Sequence, residues 1–159
     1  MATRHRTFTF ERTDTAGIAA EMSSFAQGAD GRRWMNIVPD ADETEIHTGS
    51  IFWRTLSSRG PVIPQLTWFP TDESASDREP TQVGISHATG RDAMKRLASA
   101  GVVAPSDWRL FQDHQKRGIL FALDGHVDLE DIVTFAVSAL PVFSPFAFED
   151  AYLATFSQQ

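Results

Sequence analysis

Cysteine is absent from the 159 residues, which removes disulfides, thiolate nucleophiles, iron–sulfur clusters and cysteine-bound zinc together. The absence suits a reducing compartment, so a cytoplasmic location is expected. Lysine is scarce: Lys95 and Lys116 stand beside twelve arginines, a bias usual in GC-rich bacterial genomes. Long apolar runs are missing too. The longest, Ile132 to Phe143, is interrupted by Thr134, Ser138 and Pro141 and falls short of the roughly 20 residues that a membrane span needs. The opening Met-Ala-Thr-Arg-His-Arg leads into Thr-Phe-Thr-Phe, not an apolar core, so neither a signal peptide nor a membrane partner is expected. Positive charge is the last shortage. A net charge of −7 argues against a phosphate-backbone binder, and no nucleic-acid partner is expected, even through Arg4, Arg6, Lys116 and Arg117.

An apolar fraction of 42% and a charged fraction of 22% are ordinary for a globular chain, and the length suits a single domain over residues 1–159. Two acidic segments (Asp40, Asp42, Glu43 and Glu45; Asp72, Glu73, Asp77 and Glu79) read as solvated loops, the second within an exposed stretch from Pro70 to Pro80.

The second half has the cleaner pattern. Val83 and Ile85 alternate with polar or small residues as in a half-buried strand. Thr89 and Asp92 form a capping-box-like start to a helix through Ala93, Met94, Leu97 and Ala98, and Gly101 stops it. Trp108–Gln112 and Gly118–Leu123 are strands, the second apolar on both faces and therefore central. Asp128 caps a helix with Asp131 at its third position and an apolar stripe from Leu129 to Leu140, ended by Pro141. Tyr152–Phe156 returns as a last strand. In the first half, a strand over Thr7–Thr13 precedes a helix through Ile18, Met22 and Phe25. Trp34–Val38, Ile51–Leu56 and Leu66–Phe69 are further strands, and Ser58–Pro64 is a rigid turn. The expected fold is α+β, a largely antiparallel sheet with helices on one face, its C-terminal half ferredoxin-like.

In that topology the strand at Val83–Ser86 neighbours Gly118–Leu123. His87, the helix start at Thr89, Gly90 and Arg91, and the tip Asp113-His114-Gln115-Lys116-Arg117 then share one edge. Two imidazoles, a carboxylate, three cations and a helix N-terminus favour a small anionic ligand there. The candidate ligand-binding residues are His87, Thr89, Gly90, Arg91, Asp113, His114, Lys116 and Arg117, with Asp113 orienting His114. If substrate is turned over, His114 or His87 is the general acid/base. Each residue also has a purely structural reading: His87 bonded inside the sheet rim, Thr89 as a cap, Gly90 in a helical turn, His114 on a surface loop, and Lys116 and Arg117 as strand-edge charges.

No histidines have metal-binding spacing, and phosphate-loop, dinucleotide and serine-elbow motifs are missing. No metal and no cofactor are expected. The alternative function is protein interaction or homodimerisation through an aromatic sheet face. Trp34, Trp53, Trp68, Phe69 and Trp108 lie in strands and should mostly be core; any two or more that face outward would form the surface, and the phenylalanine-rich tail (Phe143, Phe146, Phe148, Phe156) closes the core or docks on a second copy.

Taken together, Trp34-Met-Asn-Ile-Val-Pro39, Gly84-Ile-Ser-His-Ala-Thr-Gly90 and Gln112-Asp-His-Gln-Lys-Arg-Gly118 resemble an uncharacterised group of actinobacterial hypothetical proteins of similar length. The resemblance spans most of the chain and implies no activity or cofactor.

Overall fold

Period-two alternation of apolar and polar residues sorts the side chains onto two faces of one sheet. The computed structural model describes residues 2–41, 63–71 and 80–159. Strand β1 (Arg4–Glu11) leads into α1 (Thr15–Ala26), β2 (Arg33–Pro39), β3 (Gln65–Phe69) and β4 (Thr81–Ser86). Then follow α2 (Ala93–Ser99), β5 (Trp108–His114), β6 (Gly118–Leu123), α3 (Leu129–Phe143) and β7 (Ala151–Gln158). The expected strand Ile51–Leu56 with Trp53, most of the Ser58–Pro64 turn, and the acidic segments beyond Asp40 lie outside the described residues.

The strands form one antiparallel sheet of seven, in the order β1-β7-β2-β3-β4-β6-β5. This is the expected α+β class. The ferredoxin-like arrangement is corrected in one respect. Neighbours β4, β6 and β5 follow that pattern, but β7 does not lie beside β4, because β2 and β3 stand between them. The apolar alternation of β7 instead meets the first half of the chain on both sides: Tyr152 lies opposite Phe10 and Pro39, and Ala154 opposite Phe8 and Ile37.

On one face Met35, Ile37, Leu66, Trp68, Val83, Ile85, Phe121, Tyr152, Ala154 and Phe156 are buried in a single core. The helices contribute Ile18, Met22, Leu97, Ile132, Val133, Ala136 and Leu140 to it. The other face mixes half-buried apolar side chains such as Trp34, Val38, Leu120 and Leu153 with polar ones that hydrogen-bond across strands. Thr67 donates to Asn36 Oδ1 at 2.8 Å, Gln65 Nε2 donates to Thr67 Oγ1 at 3.2 Å, and the Thr7 and Thr155 hydroxyls are 3.0 Å apart.

Two helix boundaries depart from expectation. Thr89 does not start α2; the helix begins at Ala93, after Asp92 in a left-handed conformation (φ 60°) with no side-chain capping bond. Its end is as expected, with Gly101 at φ 76° and Val102 N–H donating to the Leu97 carbonyl at 2.9 Å. Nor does Pro141 end α3, which runs on to Phe143 from its Asp128 cap. Proline removes the N–H that would bond the Val137 carbonyl four residues earlier. Tyr152 supplies the missing donor, its hydroxyl bonding Val137 O at 3.1 Å.

Candidate functional site

The β5–β6 hairpin is closed by its own polar residues. His114 Nδ1 accepts from the backbone N–H groups of Lys116 (3.1 Å) and Arg117 (3.2 Å). With the Nδ1 lone pair so used, the proton of the neutral ring sits on Nε2. Gly118 follows at φ 82°, where a Cβ would overlap the Ile85 carbonyl of β4, so the turn packs directly against the next strand. The tip is therefore tied both to its own backbone and to β4.

Asp113 does not orient His114. Adjacent strand residues point to opposite faces, and its Oδ2 accepts the Met94 N–H at 3.3 Å, in the first turn of α2. Arg91 Nε donates to Gln115 Oε1 at 3.3 Å. Together Arg91, Asp92, Asp113, His114 and Gln115 line an open cleft of about 350 Å³. The structure thus brings Arg91, Asp113 and His114 together, with Lys116 and Arg117 exposed on the same tip. Electrostatically the lining is mixed, one guanidinium against two carboxylates. The helix amide that an anion would seek already has a protein carboxylate on it.

His87, Thr89 and Gly90 are not among the residues that line this cleft. His87 is 1% exposed, stacked on Phe143 of α3 at 4.9 Å and 23°, with Nδ1 3.0 Å from the Thr89 hydroxyl. Gly90, at φ 87°, turns the chain back toward Arg91 and is not part of a helix. Burial pulls the His87 pKa below its ordinary value, with Asp113 opposing and Arg96 reinforcing that shift. A neutral histidine with Nε2 buried and unpartnered results. His87 is buried and does not line the cleft beside His114, while Asp113 of that cleft acts on its charge.

Of the strand aromatics, Trp34 is half-buried and Trp53 lies outside the described residues. Trp68 and Trp108 are core residues, and Trp108 packs edge-on with Phe121 and Phe135. What the mixed face does present is Phe69 (44% exposed) and Phe111 (68% exposed). A bulge between Leu110 and Gln112 shifts the β5 register at Phe111. Phe111, Arg109, Pro80, Gln82, Leu120 and Ala122 surround a hollow of about 100 Å³. In the register, Phe69 of β3 continues through Gln82 and Ala122 to Arg109 of β5, a row roughly 14 Å across three strand spacings.

Sequence reasoning also passed over a groove of about 490 Å³ beside α3, lined by Asp131, Thr134, Phe135 and Ser138 with Arg12 and the residues after α2. The signal was present: Asp131, Thr134 and Ser138 recur at helical spacing in an otherwise apolar helix. Burial, then the neighbouring carboxylates of Asp128, Asp107 and Glu130, raise the Asp131 pKa.

Among the described residues no three histidine or carboxylate side chains converge as a metal site, and no helix is long and apolar enough to cross a membrane. No protein-family model, curated protein or solved structure matches the chain.

Proposed function

We propose that this chain is a protein-recognition domain whose working surface is the mixed sheet face around Phe111, Arg109 and Phe69. The observation that carries the reading is Phe111, 68% exposed on an edge strand, at a bulge, beside a hollow lined in part by Leu120 and Ala122. Bulges re-aim side chains at sheet edges. An exposed aromatic with an adjacent arginine is common hot-spot chemistry. The partner is a protein that places an apolar side chain in the hollow and a carboxylate near Arg109, displacing its 3.6 Å contact with Asp124.

A photoreactive amino acid replacing Phe111 tests this in cells. Discrete covalent adducts at 111, lost in an Arg109→Asp background and absent with the probe at Glu130 on the helix side, are expected. Equal labelling at both sites, or none at 111, rejects the reading.

A second reading, a small anionic ligand at the hairpin tip, is favoured by one observation. Among the described residues Arg91, Lys116 and Arg117 form no ion pair. Titration with inorganic phosphate or citrate, followed by thermal unfolding, tests it. A ligand at 100 times its dissociation constant raises stability by about 2.7 kcal/mol, and Arg91→Ala removes the gain; no gain from either anion rejects it.

A further inference from the structure

The two outer strands of the sheet end it in different ways. At β5 the ladder is broken by the bulge at Phe111, and Lys116 and Arg117 stand on the adjoining turn. Both are devices that discourage a further strand from adding to an edge. Strand β1 has no bulge, no proline and no lysine. Its register with β7 is unbroken from Arg4 opposite Gln158 to Glu11 opposite Ala151.

In an antiparallel ladder successive residues turn their N–H and C=O groups to opposite sides. Arg12 N–H donates to the Asp150 carbonyl at 3.1 Å, continuing the same register by one residue. Even-numbered residues of β1 therefore bond inward to β7. His5, Thr7, Thr9 and Glu11 direct theirs outward, and all four are exposed. Among the described residues no strand lies on that side.

We infer that β1 pairs antiparallel with β1 of a second copy of this chain, across a two-fold axis at Phe8. In this register every outward-facing residue meets another. His5 lies opposite Glu11 of the second copy, Thr7 opposite Thr9, and the reciprocal pairs complete about eight main-chain hydrogen bonds. Side chains directly opposite share a face, so His5 meets the second copy's Glu11 on the mixed face, and the two Phe8 rings meet on the helix face.

Charge supports self-pairing over a foreign strand. The strand carries Arg4 and Arg6 at its start and Glu11 at its end, and antiparallel pairing brings Glu11 of one copy beside the arginine-bearing start of the other. Arg6 is already held by Glu21 at 2.9 Å and lies over the Phe8 ring at 5.0 Å, so it does not point a free charge at the edge. Arg4 comes opposite Arg12, which has Asp150 at 3.8 Å. This inference uses a different strand from the Phe111 surface, and the failure of either leaves the other standing.

Sedimentation velocity on the full chain, combined with cysteine cross-linking, tests the pairing. The chain has no cysteine of its own, so an introduced one reports alone. Phe8→Cys falls at the non-hydrogen-bonded pair on the axis, where Cα atoms are roughly 4.5 Å apart, within disulfide range. Mild oxidation is expected to join it as a dimer. Thr7→Cys alone should not join, whereas Thr7→Cys mixed with Thr9→Cys should, which covers the case in which Phe8→Cys folds poorly. Thr7→Pro removes an outward main-chain N–H, together with the exposed hydroxyl contact to Thr155 within the sheet, and should weaken the wild-type dimer roughly tenfold or more. Wild type that sediments as a monomer at all concentrations overturns the inference. So does a dimer that survives Thr7→Pro and forms neither cross-link, since its contact lies on another surface.

Discussion

The two faces of this sheet use the same strands and differ by one residue in phase, yet they behave as different materials. On the helix side, Trp68, Val83 and Phe121 succeed one another across three strands with no solvent between them and the helices. On the other side the same strands carry Thr67, whose hydroxyl donates to Asn36 of β2, followed by Gly84 and Leu120, with exposed phenylalanines at Phe69 and Phe111. The first face holds the stability of the domain, because burial of apolar area is the dominant favourable contribution. The second is free to vary in chemistry without unfolding the protein, which is the condition a recognition surface needs.

The largest effect that separates the faces is expected from neighbouring residues of β3. Trp68→Ala empties a site that is 1% exposed and should cost about 3–5 kcal/mol. Thr67→Ala, one residue earlier, loses the 2.8 Å bond to Asn36 and should cost about 1 kcal/mol. Urea unfolding midpoints at constant slope measure both. Comparable losses would break the division.

Next come two glycines. Gly118→Ala places a methyl group into the Ile85 carbonyl at a backbone φ of 82°, and a cost of at least about 2 kcal/mol is expected from the strained backbone and the overlap. At Gly84 the same methyl meets Ile119 O at 3.5 Å and Leu120 Cδ1 at 3.6 Å, ordinary contact distances. Gly84→Ala should therefore leave thermal stability nearly unchanged. The comparison distinguishes a glycine required by geometry from one merely present.

Tyr152→Phe should cost about 1–3 kcal/mol, because the Val137 carbonyl left free by Pro141 then has no donor in the core. Burial, with Asp150 adding and Arg12 opposing, pushes the Tyr152 pKa up to about 12. Between the ordinary value near 10 and that value the unfolded chain releases a proton that the folded chain keeps. Stability then falls as pH rises through this window, and the tyrosine's share of the fall should disappear in the Tyr152→Phe protein.

His87 gives the opposite sign at the acid end. Its folded pKa lies below the ordinary 6.5, because burial disfavours the charged ring. Below that value the unfolded chain binds a proton that the folded chain refuses, so the contribution is intact above 6.5 and lost as pH falls toward the depressed value. Midpoints measured from pH 7.5 down to pH 5 should fall less steeply for His87→Phe, which keeps a ring against Phe143. Parallel slopes in the two proteins would show that His87 is not held neutral by the core.

The helix-side face was legible in the sequence because it obeys periodicity. Alternation at Val83 and Ile85, the stripe through Ile132, Ala136 and Leu140, and the Asp128 cap each follow from local spacing, and each element exists where that spacing puts it. Neighbourhood between strands distant in sequence was legible only in part. The pairing of β4 with β6 follows from the strand–helix–strand–strand order of a split unit, but nothing local says that β7 inserts between β1 and β2. At the helix ends misread at Thr89 and Pro141, the Thr89 hydroxyl lies against His87 two residues away and the Val137 carbonyl is bonded by Tyr152 of β7. The site suffered most. His87 and His114 look alike as letters, whereas one stacks on Phe143 and the other closes a turn with its Nδ1. Phe111 had no signal at all, since a bulge in register is not a property of composition.

The smallest expected change in stability belongs to Phe111→Ser, and it is the one that sharpens the contrast most. The ring is 68% exposed and forms no ring contact among the described residues, so removing it should alter the unfolding free energy by no more than about 0.5 kcal/mol. If the mixed face is a recognition surface, the same substitution should abolish the adducts formed by a photoreactive residue placed at Gln82, across the hollow. A stability loss as large as that of Tyr152→Phe would mean that Phe111 belongs to the fold, and the hollow beside it would then be a packing defect with no role in recognition. An unchanged protein with adducts intact would mean that partners, if captured there, are not gripped by the aromatic ring, and the proposed surface would have to be withdrawn from β5.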